Sequence, residues 1–253
     1  YKAHFFDNYD FSDERMMRTP IFIPRIEKYI KEMTLQVPDS IIKSVDILAK
    51  KAEANKEIFK YCISTYTNSY ETSNLMGMDA VFVHMADNYY LKGKCSWIDT
   101  AVERKIKERA DILRPLLLGK VIPNTFCADT AGNYVPLHGL QGKYTALIFW
   151  DADCGHCQKE IPKLFSTHKE KLKAKGVSVY APTIERDNKS WTKFLREKKL
   201  FAPGWHNVRD QFNHTDFSKT FDVYSTPVVY ILDSTKKIIA KRIGVEQITD
   251  FLD

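Results

Sequence analysis

Apolar residues recur at helical spacing through the first half of the chain. Between residues 38 and 52 they repeat every three or four positions, and Asp39 or Ser40 is placed to cap the start of this helix. No convincing strand alternation precedes residue 120. The pattern therefore predicts an all-α domain over residues 1–118. Three further stretches carry the same helical spacing: 58–66, 80–91 and 98–113.

The pattern changes after residue 118. The segment 119–124 (GKVIPN) predicts a joint, because Gly119 can end a helix and Pro123 prevents another from starting. Short apolar, β-rich runs then alternate with helical stretches, which predicts an α/β sheet with βαβ connections over residues 119–253. The strand candidates lie at 126–128, 134–137, 144–150, 177–181, 228–232 and 237–243, and the main helical stretches at 155–175 and 191–198.

Composition and charge exclude several classes of protein. With 44% hydrophobic and 28% charged residues, the chain resembles an average globular protein and not a disordered one. The net charge of +6 is spread thinly over 38 basic and 32 acidic residues, so no nucleic-acid partner is predicted. No apolar run is long enough to span a bilayer.

Two of the five cysteines, Cys154 and Cys157, lie where the strand at 144–150 gives way to a helix. Spacing of i, i+3 on a first helical turn places both side chains on one face, within reach of disulfide geometry. The free N–H groups and the dipole at a helix start stabilise a thiolate at Cys154, which is the attacking species. Cys157, one turn further along, can then displace a captured partner. The pattern predicts a thiol–disulfide oxidoreductase.

Neighbouring residues are expected to tune this pair. His156, which follows Gly155 in the CGHC sequence, either adds positive charge beside the thiolate when protonated or is an exposed loop histidine with little effect. Glu160 either receives the proton of Cys157 or is a solvated first-turn acid. Asp153 is predicted to cap the helix.

Other functions of the cysteine pair are also hypotheses. A structural zinc site needs four ligands, and the chain has no second cysteine pair, so neither a metal nor another cofactor is predicted. A Cu(I) carrier would use both thiolates and a nearby histidine. In a partner-binding module, the helical half would perform the function and the cysteine pair would be unused. The intact CGHC sequence disfavours this hypothesis.

The remaining cysteines are interpreted as structural. Cys62 lies on an apolar helical stripe and Cys127 in a strand candidate, so both are predicted to be buried thiols. Cys95 follows Gly93 and Lys94 in a polar loop, which favours exposure.

The segment 150–162 (WDADCGHCQKEIP) resembles the active-site segment of thioredoxin-like proteins of the TlpA/ResA type, which share Trp150, the CGHC core and Pro162. Residues 119–123 resemble the family's entry into this domain, and residues 221–227 its strand-leading loop, in which the proline is cis. The resemblance implies a thioredoxin-like fold for residues 119–253. It also implies that Thr226 and Pro227 lie against the sulfurs and hold the backbone of a partner.

The same resemblance implies partners and a location. The substrates would be protein disulfides or dithiols, and an upstream redox partner would regenerate the pair. Residues 5–19 and 70–84 resemble an uncharacterised helical region that precedes such domains in Gram-negative envelope proteins. Export to the periplasm or cell envelope is implied, with membrane anchoring through an N-terminal segment outside this chain as an expectation.

One position departs from thioredoxins proper, which place a buried Asp six residues before the first cysteine. That position is Ile148 here. The resemblance therefore does not imply a general reductase, and the direction of electron flow is left open.

Overall fold

The computed structural model describes residues 1–185 and 187–252; Asp253, the end of the predicted second domain, lies outside them. The chain forms two compact units, Tyr1–Arg114 and Pro115–Asp253. The division falls close to the boundary expected after residue 118. No helix in the described residues has the length and apolarity needed to cross a bilayer.

The first unit is helical, which confirms that part of the predicted fold class. Its residues, all described, form five α-helices together with shorter 3₁₀ and π turns. The helices are α1 (Phe22–Lys31), α2 (Pro38–Ala52), α3 (Lys56–Glu71), α4 (Asp79–Met85) and α5 (Thr100–Leu113). Helix α1 was not predicted.

The predicted cap of α2 is wrong. Helix α2 begins at Pro38, its N-cap is Val37, and no side chain caps it. Proline is favoured at the first helical position because its φ angle is already helical and its missing N–H would have no partner there. Asp39 lies inside the first turn instead, where its negative charge interacts favourably with the helix dipole.

The described part of the second unit is a seven-stranded mixed sheet in the order β2-β1-β5-β4-β3-β6-β7, with helices. Strands β3, β4 and β5 are parallel, and the other neighbours are antiparallel. The strands are β1 (Phe126–Asp129), β2 (Tyr134–Pro136), β3 (Tyr144–Phe149), β4 (Val177–Thr183), β5 (Trp205–Arg209), β6 (Val228–Asp233) and β7 (Ile238–Lys241), and the helices are α6 (Gly155–Thr167), α7 (Asn188–Glu197), α8 (Phe217–Phe221) and α9 (Gln247–Phe251).

Strand β3 is buried on both faces, as its continuous apolar run predicts. Ala146 and Ile148 belong to one buried cluster, and Leu147 and Phe149 to the other. Helix α6 packs on the Ile148 side through Ile161 and its apolar neighbours. The cysteine pair is therefore held on a helix that is anchored to the centre of the sheet.

Tyr180 on β4 joins the β1–β2 hairpin to the sheet core. Its buried hydroxyl donates to the Val135 carbonyl at 2.8 Å and accepts from the Cys127 amide at 3.2 Å. Tyr180→Phe leaves both backbone groups without this partner, so we expect a loss of about 1–3 kcal/mol in unfolding free energy. Urea unfolding of the full chain measures it. Tyr144→Phe, at a half-buried tyrosine on β3, is the control, and an equal loss in both variants would contradict this account.

Candidate functional site

Cys154 lies between the end of β3 and the start of α6. It is the N-cap residue of α6, and its sulfur accepts a hydrogen bond from the Cys157 amide at 3.4 Å. The prediction that Asp153 caps this helix is wrong. The Asp153 amide is instead bound by the Asp151 carboxylate at 2.8 Å in a tight turn before the helix. The group that accepts a hydrogen bond from the free amide in the first turn of α6 is therefore the sulfur of Cys154.

The two sulfurs have opposite environments. Cys154 is partly exposed, whereas Cys157 is fully buried against the sheet. Burial acts to raise the pKa of Cys154, but hydrogen bonds from the Cys157 amide, from the side chains of Cys157 and Thr226 and from the His156 amide together outweigh it, and the pKa lies below the ordinary value. Burial raises the pKa of Cys157 to about 11. Near neutral pH, Cys154 is therefore the more reactive thiol.

The loop before β6 lies next to Cys154. Strand β6 runs antiparallel to β3 with Phe149 opposite Val228, so the residues before β6 face those after β3. The Cys154 thiol lies 3.6 Å from the Thr226 carbonyl, to which it donates. The Thr226–Pro227 peptide bond is cis. The structure thus brings Thr226 to the first cysteine.

Trp150 lies in the buried core and does not face solvent. Its side chain is fully buried, its indole N–H donates to the Ala181 carbonyl at 3.3 Å, and its ring lies 5.5 Å from that of Phe194. Gly155, by contrast, is exposed, and a Cβ added there would meet nothing within 4 Å. Space alone therefore does not require glycine at this position.

His156 and Glu160 lie about one turn apart on α6 and differ in exposure. His156 is exposed, as one of the two interpretations expected. The Glu160 side chain is only 14% exposed, so it is not the solvated acid of the other prediction. Its carboxylate accepts from the Lys163 ammonium at 2.9 Å, and this bond holds the pKa of Glu160 below its ordinary value.

Sequence reasoning missed Glu185. Its carboxylate lies with those of Asp151 and Asp153, within 4.8 Å of one another, because Trp150 pairs with Thr183 and carries the end of β4 to the loop before Cys154. The negative charge of Glu185 raises the pKa of Asp153. Pairing of two chain segments more than thirty residues apart leaves no local signal in the sequence.

The described residues contain no other group of three or more His, Cys, Asp or Glu side chains close enough to share a metal ion. Neither cysteine belongs to this acidic group. All five cysteines are free thiols in the structure. The arrangement around Cys154 and Cys157 thus offers two thiols of unequal acidity and one backbone carbonyl.

The acidity of Cys154 predicts its alkylation. Iodoacetamide reacts with the thiolate, so the rate at Cys154 should rise with pH around a midpoint below that of an ordinary cysteine. Mass mapping of the full chain from about pH 5 to pH 9 measures this midpoint, since ordinary cysteines titrate near 8.5. A peptide of residues 150–162 with Cys157→Ser is the control. Equal midpoints in peptide and protein would contradict the proposed stabilisation of the thiolate.

Comparison with known proteins separates the same two halves. Residues 1–115 match the family described as "Domain of unknown function (DUF5106)", and residues 118–241 match the AhpC/TSA family. The chain is similar to a solved "domain of possible thiol-disulfide isomerase" from Cytophaga hutchinsonii. The two are 56% identical over 55% of this chain and 92% of that one, with a TM-score of 0.51.

Two other relatives extend the comparison. A thioredoxin-like protein from Bacteroides caccae superposes on 99% of this chain and 90% of its own with a TM-score of 0.71, and at 16% identity it shows the fold alone. The thiol-disulfide oxidoreductase ResA of Bacillus cereus is 29% identical over 127 residues, which are 50% of this chain and 70% of that protein.

Proposed function

The chain belongs to the thioredoxin-like thiol–disulfide oxidoreductases, and we therefore propose that Cys154 and Cys157 are its redox-active pair. Along the chain, a domain of unknown function is followed by an AhpC/TSA-family domain. The thioredoxin-like fold and the class of enzyme expected from the sequence are confirmed. The observation that carries the proposal is the partly exposed, acidified sulfur at the start of α6, one turn from a buried second sulfur.

The reaction follows from the unequal acidity of the two thiols. The Cys154 thiolate attacks a protein disulfide, which forms a mixed disulfide and releases one partner sulfur as thiolate. Cys157 loses its proton and attacks the Cys154 sulfur, so that an internal disulfide forms and the second partner sulfur leaves. Two electrons pass from the pair to the partner, and an upstream dithiol restores the pair. The same steps in reverse oxidise a partner dithiol.

The loop at Thr226 and Pro227 is proposed to hold the partner. The Thr226 carbonyl lies 3.6 Å from the Cys154 sulfur, so a chain joined to that sulfur must pass beside this loop. An extended partner segment can donate backbone hydrogen bonds to such carbonyls. Partner recognition by backbone groups tolerates different side chains, which suits an enzyme that acts on more than one protein.

Glu160 is proposed to help remove the Cys157 proton. No buried carboxylate stands at position 148, where Ile148 is fully buried, whereas Glu160 lies one turn after Cys157 on the same helix. Glu160 is ionised at neutral pH, and the Lys163 ammonium lowers its pKa and so makes it a weak base; its proposed part is to relay the Cys157 proton, directly or through water.

Glu160→Gln should therefore slow the step in which Cys157 resolves the mixed disulfide, by a factor on the order of a hundred, with little change in the attack by Cys154. Stopped-flow measurement with an aromatic disulfide separates the two steps. Glu170→Gln, at an exposed acid further along the chain, is the control. Equal resolving rates in the native chain and Glu160→Gln would exclude Glu160 from the proton transfer.

A redox titration against glutathione tests the proposed function. We expect Cys154 and Cys157 to disappear together as thiols in a reversible two-electron transition, and its midpoint decides between reductant and oxidant. The copper-carrier hypothesis predicts instead a tight equimolar Cu(I) complex that is lost in Cys154→Ser. Failure to form the internal disulfide in any glutathione buffer would overturn the proposed function.

The proposal includes location in the periplasm or cell envelope, with protein disulfides or dithiols as substrates. It is supported by the resemblance of residues 5–19 and 70–84 to a helical region of envelope proteins. Anchoring to the membrane would come from a segment outside this chain. Cell fractionation followed by thiol labelling tests it, and recovery of the protein only from the cytosol would contradict it.

A further inference from the structure

The helical unit contains an open pocket that the redox chemistry does not use. It has a volume of about 390 Å³ and lies where the end of α2, the start of α3 and the loop after Tyr90 meet. Surveyed ligand pockets have roughly 300–1,000 Å³, so the size suits a small molecule. The lining residues are Glu53, Lys56, Phe59, Lys94, Ser96 and Trp97.

Cys95 lies between two residues that line this pocket, Lys94 and Ser96. The sequence favoured exposure of Cys95, and that prediction is wrong, because the side chain is 4% exposed and belongs to the core of the helical unit. The amide of Lys94 binds the Tyr89 carbonyl at 3.0 Å, and the amide of Ile98 binds the Cys95 carbonyl at 3.3 Å. With Cys95 directed inward, its neighbours Lys94 and Ser96 are exposed and line the pocket.

The inner wall of the pocket is aromatic. The rings of Phe59 and Trp97 meet edge to face with centroids 5.9 Å apart, and Phe59 also lies 6.1 Å from Tyr89. Trp97 is half-buried and packs against the core. Such a wall offers an apolar surface on which a second ring or a short aliphatic body can pack.

The rim of the pocket carries more positive than negative charge. Among the lining residues two are basic, Lys56 and Lys94, and one is acidic, Glu53. Within residues 1–185 and 187–252, neither ammonium has a carboxylate partner within 4.0 Å. The Lys94 ammonium lies 5.1 Å from the centre of the Tyr89 ring, a contact that leaves its N–H groups free to bind an anion.

We propose that this pocket binds a small organic anion with a flat apolar body and one carboxylate or sulfonate group. The body packs on Phe59 and Trp97, and the charged group lies between the ammonium groups of Lys56 and Lys94. A cation of the same shape meets two like charges and is rejected. This binding does not depend on Cys154 or Cys157, so it stands or falls separately from the proposed function.

Calorimetry of the full chain with three ligands of one shape tests the proposal: 2-naphthoate, neutral 2-naphthylmethanol and 2-naphthylmethylammonium. We expect the anion to bind most tightly and the cation least tightly. The double variant Lys56→Gln/Lys94→Gln should weaken the binding of the anion roughly three- to tenfold, since an exposed charge contributes at most about 1 kcal/mol. The binding of the alcohol should be unchanged. Lys60→Gln, an exposed lysine of α3 outside the pocket, should change nothing.

Trp97→Ala removes one ring of the aromatic wall and should weaken the binding of all three ligands. If this variant does not fold, the lysine variants still decide, because Lys56 and Lys94 are exposed and neither belongs to the buried core. The proposal is overturned if the cation binds as tightly as the anion. It is also overturned if the double lysine variant retains the full affinity for 2-naphthoate.

Discussion

A chain with Cys157→Ser is expected to stop at the mixed disulfide. Cys154 keeps its acidified thiolate and still attacks a partner disulfide, but no second sulfur remains one turn away to displace the partner. One partner per chain should therefore stay covalently bound, and turnover should fall by more than about a hundredfold. Intact-mass measurement after mixing with a disulfide-bonded peptide detects the adduct.

Cys127→Ala is the matched control for that variant, because it also removes a buried thiol but leaves the pair intact. It should turn over normally and form no lasting adduct. If Cys157→Ser releases its partner as quickly as the native chain does, a sulfur other than Cys157 resolves the intermediate.

A chain with Cys154→Ser is expected to lose disulfide exchange almost completely, by about a thousandfold or more. A serine hydroxyl does not ionise near neutral pH, and the remaining sulfur, Cys157, is buried with a pKa of about 11. The rate of reduction of a disulfide-bonded peptide by the full chain, with a dithiol as electron donor, measures the loss.

The control for Cys154→Ser is Lys159→Ala, which changes an exposed residue of the same helix. It should keep the native rate. Substantial exchange by Cys154→Ser would mean that another cysteine carries the activity, and mapping the labelled sulfur would identify it.

The elements that sequence predicted best are those with local causes. Helix α2 has the bounds Pro38–Ala52, where the apolar repeat placed it, because one face of it is fully buried. Strand β3 and helix α6 were predicted around the cysteine pair because a continuous apolar run followed by a helical pattern is a local signal. These two elements are enough to place Cys154 at a helix start.

Strand β5 was not predicted because not all of its buried residues are apolar. Asn207 lies in a core position, where its amide donates to the Leu200 carbonyl at 2.6 Å and accepts from the Trp205 indole at 2.8 Å. A polar residue satisfied by such contacts interrupts the pattern that identifies a strand. Only the folded neighbours reveal that Asn207 is buried.

The site was predicted in its chemistry but not in its contacts. The spacing of the cysteines indicated a thiolate at Cys154. It did not indicate that the Cys154 sulfur, and not Asp153, caps the helix, because that depends on the conformation of the turn. The contact with Thr226 came only from the family resemblance, since seventy-two positions separate it from Cys154. The position of Glu185 beside Asp153 had no sequence signal at all.

The most direct test of the central claim is a single-turnover reaction of the reduced chain with less than one equivalent of 4,4′-dithiodipyridine. The account predicts two phases of thiopyridine release. The first depends on reagent concentration and follows the low pKa of Cys154. The second does not depend on reagent concentration, because Cys157 attacks within the same molecule, and it ends in a mapped Cys154–Cys157 disulfide. A single phase of release, or a second phase that rises with reagent concentration, would contradict the claim that these two sulfurs act as one pair.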